Sequence, residues 1–186
     1  MHNSEVEYKR FVWELNNVIK INQKYKSVVF VCIGTTSISG DSFGPIVGTR
    51  LKNAFYRSGT VTIMGDVHNT VTYNNIEDSM NYIKYKYANS LIVVIDAALS
   101  DKKDVGKVFI QNRGLKYAES LNKHNNVIGN ISIKAVVGED TRDCIKNFKT
   151  LKEVPISKVE AMSNIVSEGI VEVMNKKENN GKNIYK

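Results

Sequence analysis

Residues 27–34 read Ser-Val-Val-Phe-Val-Cys-Ile-Gly, and this apolar run decides the fold. Its β-branched and aromatic side chains are typical of a strand that is buried on both faces, as in a parallel sheet. Small and polar residues follow from Gly34 to Gly44, and Pro45 then suits the first turn of a helix, where its missing N–H needs no partner. The segment therefore predicts a strand, a loop that carries Asp41, and a helix.

The same alternation of strand and helix patterns continues through the chain. It predicts a peripheral helix over about 5–21, strands over 61–64, 91–95, 105–111 and 131–137, helices over 73–87 and 141–149, and a C-terminal helix that ends near 175. The strand at 105–111 is expected at an outer position, and the one at 131–137 alternates like a half-exposed strand. The sequence thus predicts one domain over 1–186, a three-layer α/β/α fold with a mostly parallel sheet, a core over 22–175 and a frayed basic tail over 176–186.

The composition of the chain limits the classes of protein to which it can belong. The chain has 186 residues, 42% of them hydrophobic, and no apolar stretch near the roughly 20 residues that span a bilayer. Its first residues lack the basic start and apolar core of a signal peptide, and two cysteines are too few for a disulfide framework, so we expect a cytoplasmic protein. The net charge of +7 comes from scattered lysines, which favours a solvated basic surface over a nucleic-acid site.

The loop after the first strand does not match the glycine-rich loops that bind nucleotides. Gly34 and Gly40 are separated by five residues, and Asp41 stands where a P-loop has lysine. The spacing of a dinucleotide-binding loop is absent as well. Because an aspartate at a helix N-terminus would repel a phosphate, the loop predicts carboxylate chemistry instead.

A second aspartate is expected at the same edge of the sheet. Asp96 directly follows the aliphatic run 91–95, and His68 follows the strand at 61–64. At a separation of about 4 Å, two ionised carboxylates would repel by on the order of 4 kcal/mol, so that Asp41 and Asp96 would share one proton near neutral pH. Such a pair can hydrolyse a peptide, whereas with His68 it could bind a divalent metal. For Asp96 alone, capping of a turn is the simpler alternative.

These residues lie within a set of motifs that resembles a known family. The motifs are Cys-Ile-Gly-Thr-Thr-Ser-Ile-Ser-Gly-Asp-Ser-Phe-Gly-Pro from Cys32, Val67-His68-Asn69, Val-Ile-Asp-Ala-Ala-Leu around Asp96, and Val-Ile-Gly-Asn-Ile-Ser-Ile from Val127. They are similar to the YyaC-type spore proteases of endospore-forming bacteria, over about residues 28–169.

The resemblance implies a phosphorylase/hydrolase-like fold, akin to the spore germination protease and the hydrogenase maturation proteases. In the germination protease the matching aspartates are the catalytic pair, which implies that role for Asp41 and Asp96. Hydrogenase maturation proteases use the equivalent acidic positions and a later histidine to bind nickel. This chain has Glu139 near that place and lacks the histidine. A metal-independent site is therefore expected, with no cofactor, and a divalent metal remains the alternative.

The function implied is that of a sporulation-associated endopeptidase in the forespore or spore interior. Its substrate would be a protein or peptide, such as small acid-soluble spore proteins, with no membrane partner. Besides the two aspartates, residues around them would position the substrate: Gly40, Ser42, Gly44, His68 and Ala97. Two alternatives stay open, a non-catalytic spore protein that binds a peptide or another partner in the same cleft and a basic nucleic-acid-binding protein whose affinity falls steeply with salt.

Overall fold

A computed structural model describes residues 2–116 and 127–182 of the protein. In these ranges the helices are α1 (His2–Ile21), α2 (Phe43–Ala54), α3 (Ile76–Lys86), α4 (Cys144–Glu153) and α5 (Ile156–Lys182). The strands are β1 (Ser27–Cys32), β2 (Val61–Met64), β3 (Ser90–Ser100), β4 (Val108–Gln111), β5 (Leu115–Lys116), β6 (Val127–Ile128) and β7 (Ile131–Glu139). Short 3-10 helices cover Gly40–Ser42 and Lys102–Asp104.

The central sheet has the strand order β2-β1-β3-β7-β4. The first four of these strands are parallel, and β4 pairs antiparallel with β7 at the edge, where the sequence predicted an outer strand. Strands β5 and β6 form a separate two-stranded ribbon. None of the helices in the described ranges is both long and apolar enough to cross a membrane.

Helices cover both faces of the sheet, which confirms the predicted three layers. On one face, alternate residues of β1, β3 and β7 pack with α1, α2 and α5 in the larger core cluster, for example Phe30, Leu51 and Ile170. On the other face, Val29, Val31 and Val94 pack against α3 and the β5–β6 ribbon. Because β1 and β3 are covered on both sides, their sequences are continuously apolar rather than alternating.

Strands β3 and β7 and helix α5 differ from the prediction. Strand β3 continues to Ser100 instead of ending before Asp96, because it keeps its pairing with β7 after β1 has ended. Strand β7 is buried along most of its length, because it lies between β3 and β4 and not at an edge. Helix α5 continues to Lys182, beyond the end predicted near residue 175, and Lys177 Nζ donates a hydrogen bond to the carbonyl of Tyr25. The last residues of the predicted tail, 183–186, lie outside the described residues.

Candidate active site

The loop that carries Asp41 is tied to the end of β1. The backbone N–H of Thr35 donates to both the Asp41 carbonyl oxygen, at 3.2 Å, and the carboxylate Oδ2, at 3.1 Å. Upstream of this contact, the Ile33 N–H donates to Ile95 and the Gly34 N–H to Val71, at 2.8 and 2.9 Å. These bonds fix the loop over the carboxyl ends of the parallel strands, where ligands collect in open α/β sheets.

Glycines allow the loop and helix α2 to approach the sheet closely. A Cβ at Gly34, where φ is +141°, would lie 2.0 Å from the Asp41 carbonyl oxygen. A Cβ at Gly44 would lie 2.0 Å from the Ile33 carbonyl oxygen. Any side chain at either position would push the Asp41 loop away from β1, so the glycine content of this segment reflects packing and not a phosphate cradle.

The outer side of the loop rests on the end of α4. The Ser39 hydroxyl donates to the Val154 carbonyl at 2.6 Å, and a Cβ at Gly40 would lie 2.9 Å from the Leu151 carbonyl oxygen. Helix α4 itself begins with an N-cap, since the Asp143 side chain accepts hydrogen bonds from the N–H groups of Ile145 and Lys146. The loop is therefore held between the sheet and α4.

Asp96 lies where β1 stops and β3 continues. The pairing of β1 with β3 ends at Cys32 and Ile95, so Asp96 is the next residue of β3, with β7 on one side and the Asp41 loop after β1 on the other. On the β7 side its register partner is Lys134. Asp96 thus lies within a strand at the carboxyl end of β1, next to the Asp41 loop.

The structure brings the two predicted aspartates into electrostatic contact. Burial raises the pKa of Asp96 to about 7, with the charge of Asp41 as a second cause. Lys134 and the backbone N–H of Ala97 act in the opposite direction on this pKa. Burial also raises the pKa of Asp41, but the Thr35 N–H opposes it by stabilising the carboxylate. Near neutral pH the arrangement favours a protonated Asp96 beside an ionised Asp41.

Lys134 is a site residue that sequence reasoning missed. Its place in the alternating pattern after Ser132 predicts a solvent-facing residue of a half-exposed strand. Only the register of β3 with β7 places it opposite Asp96. Its charge supports the ionised form of that carboxyl, so it limits how far the pKa of Asp96 rises.

His68 is exposed in the turn after β2, on the far side of β1 from Asp96. Its backbone N–H donates to Asp66 Oδ1 at 2.7 Å, and the Asn69 N–H donates to the same oxygen at 3.0 Å. Asp66 is buried and also pairs with Lys52 of α2. Asp66 therefore stabilises the turn through these hydrogen bonds. The side chain of His68 lies beside it and is exposed to solvent.

The remaining predicted residues lie in the segments around Asp41 and Asp96. Gly40, Ser42 and Gly44 are buried, and the Ser42 hydroxyl donates to the Ser39 carbonyl at 2.6 Å. They shape the loop from inside rather than presenting groups at its outer surface. Ala97 contributes its backbone N–H to the Asp96 carboxyl, while its side chain packs toward the larger core cluster on the opposite face.

The donor set does not fit a metal centre built from three protein side chains. Among the residues that the structure describes, no three His, Cys, Asp or Glu side chains are grouped in a way that could hold a metal ion. Asp41 and Asp96 offer two carboxylates, and His68 does not complete such a group with them.

The fold resembles that of a solved protease. The structure matches the [NiFe] hydrogenase maturation protease HycI from Thermococcus kodakarensis KOD1 with a TM-score of 0.59 and 18% sequence identity, covering 87% of this chain and 98% of that chain. At this level of identity the match shows the fold alone. It confirms the predicted α/β architecture, a mostly parallel sheet flanked by helices.

Sequence comparisons give the family. The chain is 29% identical over 145 residues to the uncharacterized protein YyaC of Bacillus subtilis (strain 168), which covers 78% of this chain and 68% of that protein. A family model described as a protein of unknown function, DUF1256, matches residues 1–169. The chain therefore belongs to the DUF1256 family.

Proposed function

We propose that this protein is a metal-independent endopeptidase whose catalytic groups are Asp41 and Asp96. One observation carries the proposal: two aspartates from different segments meet at the carboxyl edge of the sheet, and one of them has a pKa of about 7. A pair with separated pKa values supplies an acid and a base at the same pH. The fold matches that of the [NiFe] hydrogenase maturation protease HycI. The proposed activity depends on the two aspartates and not on this match.

The mechanism assigns the base to Asp41 and the acid to Asp96. The Asp41 carboxylate takes a proton from a water molecule, whose oxygen attacks the carbonyl carbon of the scissile peptide bond, while Asp96 gives its proton to the carbonyl oxygen. In the tetrahedral intermediate that forms, the C–N bond then breaks. The amine leaves with the proton held by Asp41, and a hydroxyl proton returns to Asp96, which restores both groups.

The supporting residues have positioning roles in this scheme. The Thr35 N–H holds the Asp41 carboxylate in its ionised form, and Lys134 keeps the pKa of Asp96 from rising further. Since the acid must be protonated, activity is expected to decline as the pH rises through about 7, the pKa of Asp96. At low pH, activity is expected to fall as the Asp41 carboxylate becomes protonated, because it can then no longer act as the base.

The resemblance of these motifs to those of YyaC-type spore proteases supports a biological setting for this activity. We place the enzyme in the cytoplasm of the forespore or in the spore interior. Small acid-soluble spore proteins are the first substrates to test.

The test is cleavage by the purified full chain, read by intact-mass spectrometry between pH 5 and 8, with and without a chelator. We expect defined fragments that survive chelation and are absent for Asp41→Asn and Asp96→Asn. Asp101→Asn is the matched control, because Asp101 is an exposed acid that directly follows β3. Fragments that persist in either site variant would reject the aspartate pair, and loss of cleavage on chelation would reject metal independence. If no fragments form with any substrate, the protein is instead a binding protein on this fold.

A further inference from the structure

A groove of about 330 Å³ lies beside the candidate active site. It is lined by Gln111, Arg113, Gly114, Lys116, Val127 and Lys134. These residues come from the end of β4, the turn after it, the β5–β6 ribbon and the middle of β7. The groove is therefore built where the edge of the central sheet meets the ribbon.

The described lining of the groove is cationic. Of the six described residues that line it, three carry a positive charge and none is acidic. The Arg113 Nε donates a hydrogen bond to Gln111 Oε1 at 3.1 Å, which leaves the two terminal nitrogens of the guanidinium to bind a planar anion. A carboxylate suits this geometry, because it can accept two parallel hydrogen bonds from an arginine.

The groove is linked to the catalytic pair through Lys134. This residue lines the groove and is the register partner of Asp96 in the neighbouring strand. Cross-strand partners place their side chains on the same face of a sheet. A substrate peptide that extends from the groove past Lys134 would therefore reach Asp96 along that face of the sheet.

The wall of the groove is held in place by close packing. A Cβ at Gly114 would lie 2.5 Å from the carbonyl oxygens of both Ile128 and Gly129, so the turn and the ribbon are in direct backbone contact. Leu115 and Ile128 of the ribbon are buried in the smaller core cluster. The cationic side chains of the groove are thus attached to a closely packed part of the structure.

We propose that this groove binds a carboxylate of the substrate and so directs the enzyme to peptides that are acidic or carboxyl-terminal near the scissile bond. This inference rests on the proposed peptidase function and adds the class of substrate. The carboxylate has two possible sources, an aspartate or glutamate side chain and a free C-terminus. Arg113 and Lys134 are its specificity-determining residues.

The test is an NMR titration of the ¹⁵N-labelled full chain with three peptides: acetyl-Ala-Glu-Ala-amide, acetyl-Ala-Gln-Ala with a free C-terminus, and acetyl-Ala-Gln-Ala-amide. The first two separate the sources of the carboxylate, and the third carries none. We expect at least one of the first two to shift the backbone amides of Gly114 and Lys134, and the third to leave them unchanged. Arg113→Gln and Lys134→Gln should each weaken that binding by about tenfold, as expected for loss of a charge-assisted hydrogen bond.

Lys84→Gln is the control variant, because it removes the same charge from an exposed position on α3, outside the groove. Equal shifts with the uncharged peptide, or equal weakening by Lys84→Gln, would overturn the proposal. A short oligothymidylate that shifts these amides when neither carboxylate peptide does would overturn it too, in favour of phosphate binding.

The two proposals fail separately in this design. Carboxylate binding at the groove without any cleavage would uphold the groove and reject the peptidase. Cleavage that depends on Asp41 and Asp96, with no response of the groove to either carboxylate peptide, would uphold the peptidase and reject the groove.

Discussion

At the scale of single residues, the ionisation of Asp96 links the site to stability. Its pKa is raised to about 7 by burial and by Asp41, so the folded protein holds a proton that the unfolded chain releases near pH 4. Between these two values the folded state binds more protons than the unfolded state, and stability therefore falls as the pH rises. Below about pH 4 both states are protonated at this position, and the penalty is absent.

Asp96→Asn should remove this pH dependence. Above pH 7 the variant is expected to be more stable than the wild type, by at most on the order of 4 kcal/mol, because no charge is buried. The difference should be much smaller at pH 5. Urea unfolding of both proteins at pH 5, 6.5 and 8 measures it, and parallel stability curves for the two proteins would contradict the assignment of the raised pKa to Asp96.

Asp66 is an acid whose role is structural. Burial alone would raise its pKa, but Lys52 and the N–H groups of His68 and Asn69 lower the pKa below its ordinary value. Asp66→Ala leaves these two N–H groups without their acceptor and should cost about 1–3 kcal/mol of unfolding free energy. Asp66→Asn keeps an acceptor oxygen and should cost less. Urea unfolding at pH 7 compares the two variants, and equal losses would contradict the role of these hydrogen bonds.

At the scale of elements, the contact of α2 with the strands below it fixes the loop in front of α2. A Cβ at Gly48 would lie 1.8 Å from the Gly65 carbonyl oxygen, and one at Gly65, where φ is +86°, would lie 2.0 Å from the Cys32 carbonyl oxygen. Backbone therefore packs on backbone where α2 crosses the ends of β1 and β2. Since Asp41 lies in the 3-10 helix Gly40–Ser42, which leads directly into α2, any displacement of α2 moves the carboxylate.

Gly48→Ala should destabilise the protein by about 1–3 kcal/mol, as expected for overpacking, and should also reduce cleavage by shifting Asp41. Gly59→Ala is the matched control, because a Cβ there meets no heavy atom within 4 Å. Urea unfolding and the fragment assay report the two effects. Equal free energies of unfolding for Gly48→Ala and Gly59→Ala would show that α2 can shift without a loss of stability.

At the scale of the whole molecule, α1 is part of the main core although it was predicted as a peripheral helix. Phe11, Leu15 and Ile19 are buried in the larger core cluster together with residues of α5. A Cβ at Gly169 of α5 would lie 2.6 Å from the Phe11 ring, so the two helices are in close contact. Helix α1 thus contributes to the stability of the fold that carries the site.

Phe11→Ala should lower the unfolding free energy by about 3–5 kcal/mol, because it leaves a cavity between α1 and α5. Trp13→Ala is the comparison on the same helix, since Trp13 is 68% exposed, and should change stability by only about 0.5 kcal/mol. Thermal unfolding of both variants tests the difference. A small effect of Phe11→Ala would show that α1 docks weakly on the rest of the fold.

Local sequence patterns were sufficient to predict the main strands of this protein and the loop that carries Asp41. The apolar runs at β1 and β3 predicted buried parallel strands, and the break that follows β1 predicted the loop with Asp41 ahead of a helix. The edge position of β4 was predicted as well, because Lys107 and Gln111 interrupt its apolar residues. These features depend on neighbours in the chain, so periodicity and turn residues carry them.

The sequence by itself determined the layers of the fold, the edge of the sheet where the site lies, and the two aspartates that reach that edge. Only the tertiary structure decided that β3 continues past Asp96, that Lys134 is its register partner in β7, and that His68 follows β2, which β1 separates from β3. The physical reason is that strand register and burial depend on contacts between segments far apart in the chain. Such contacts set the pKa of Asp96, and no local pattern encodes them.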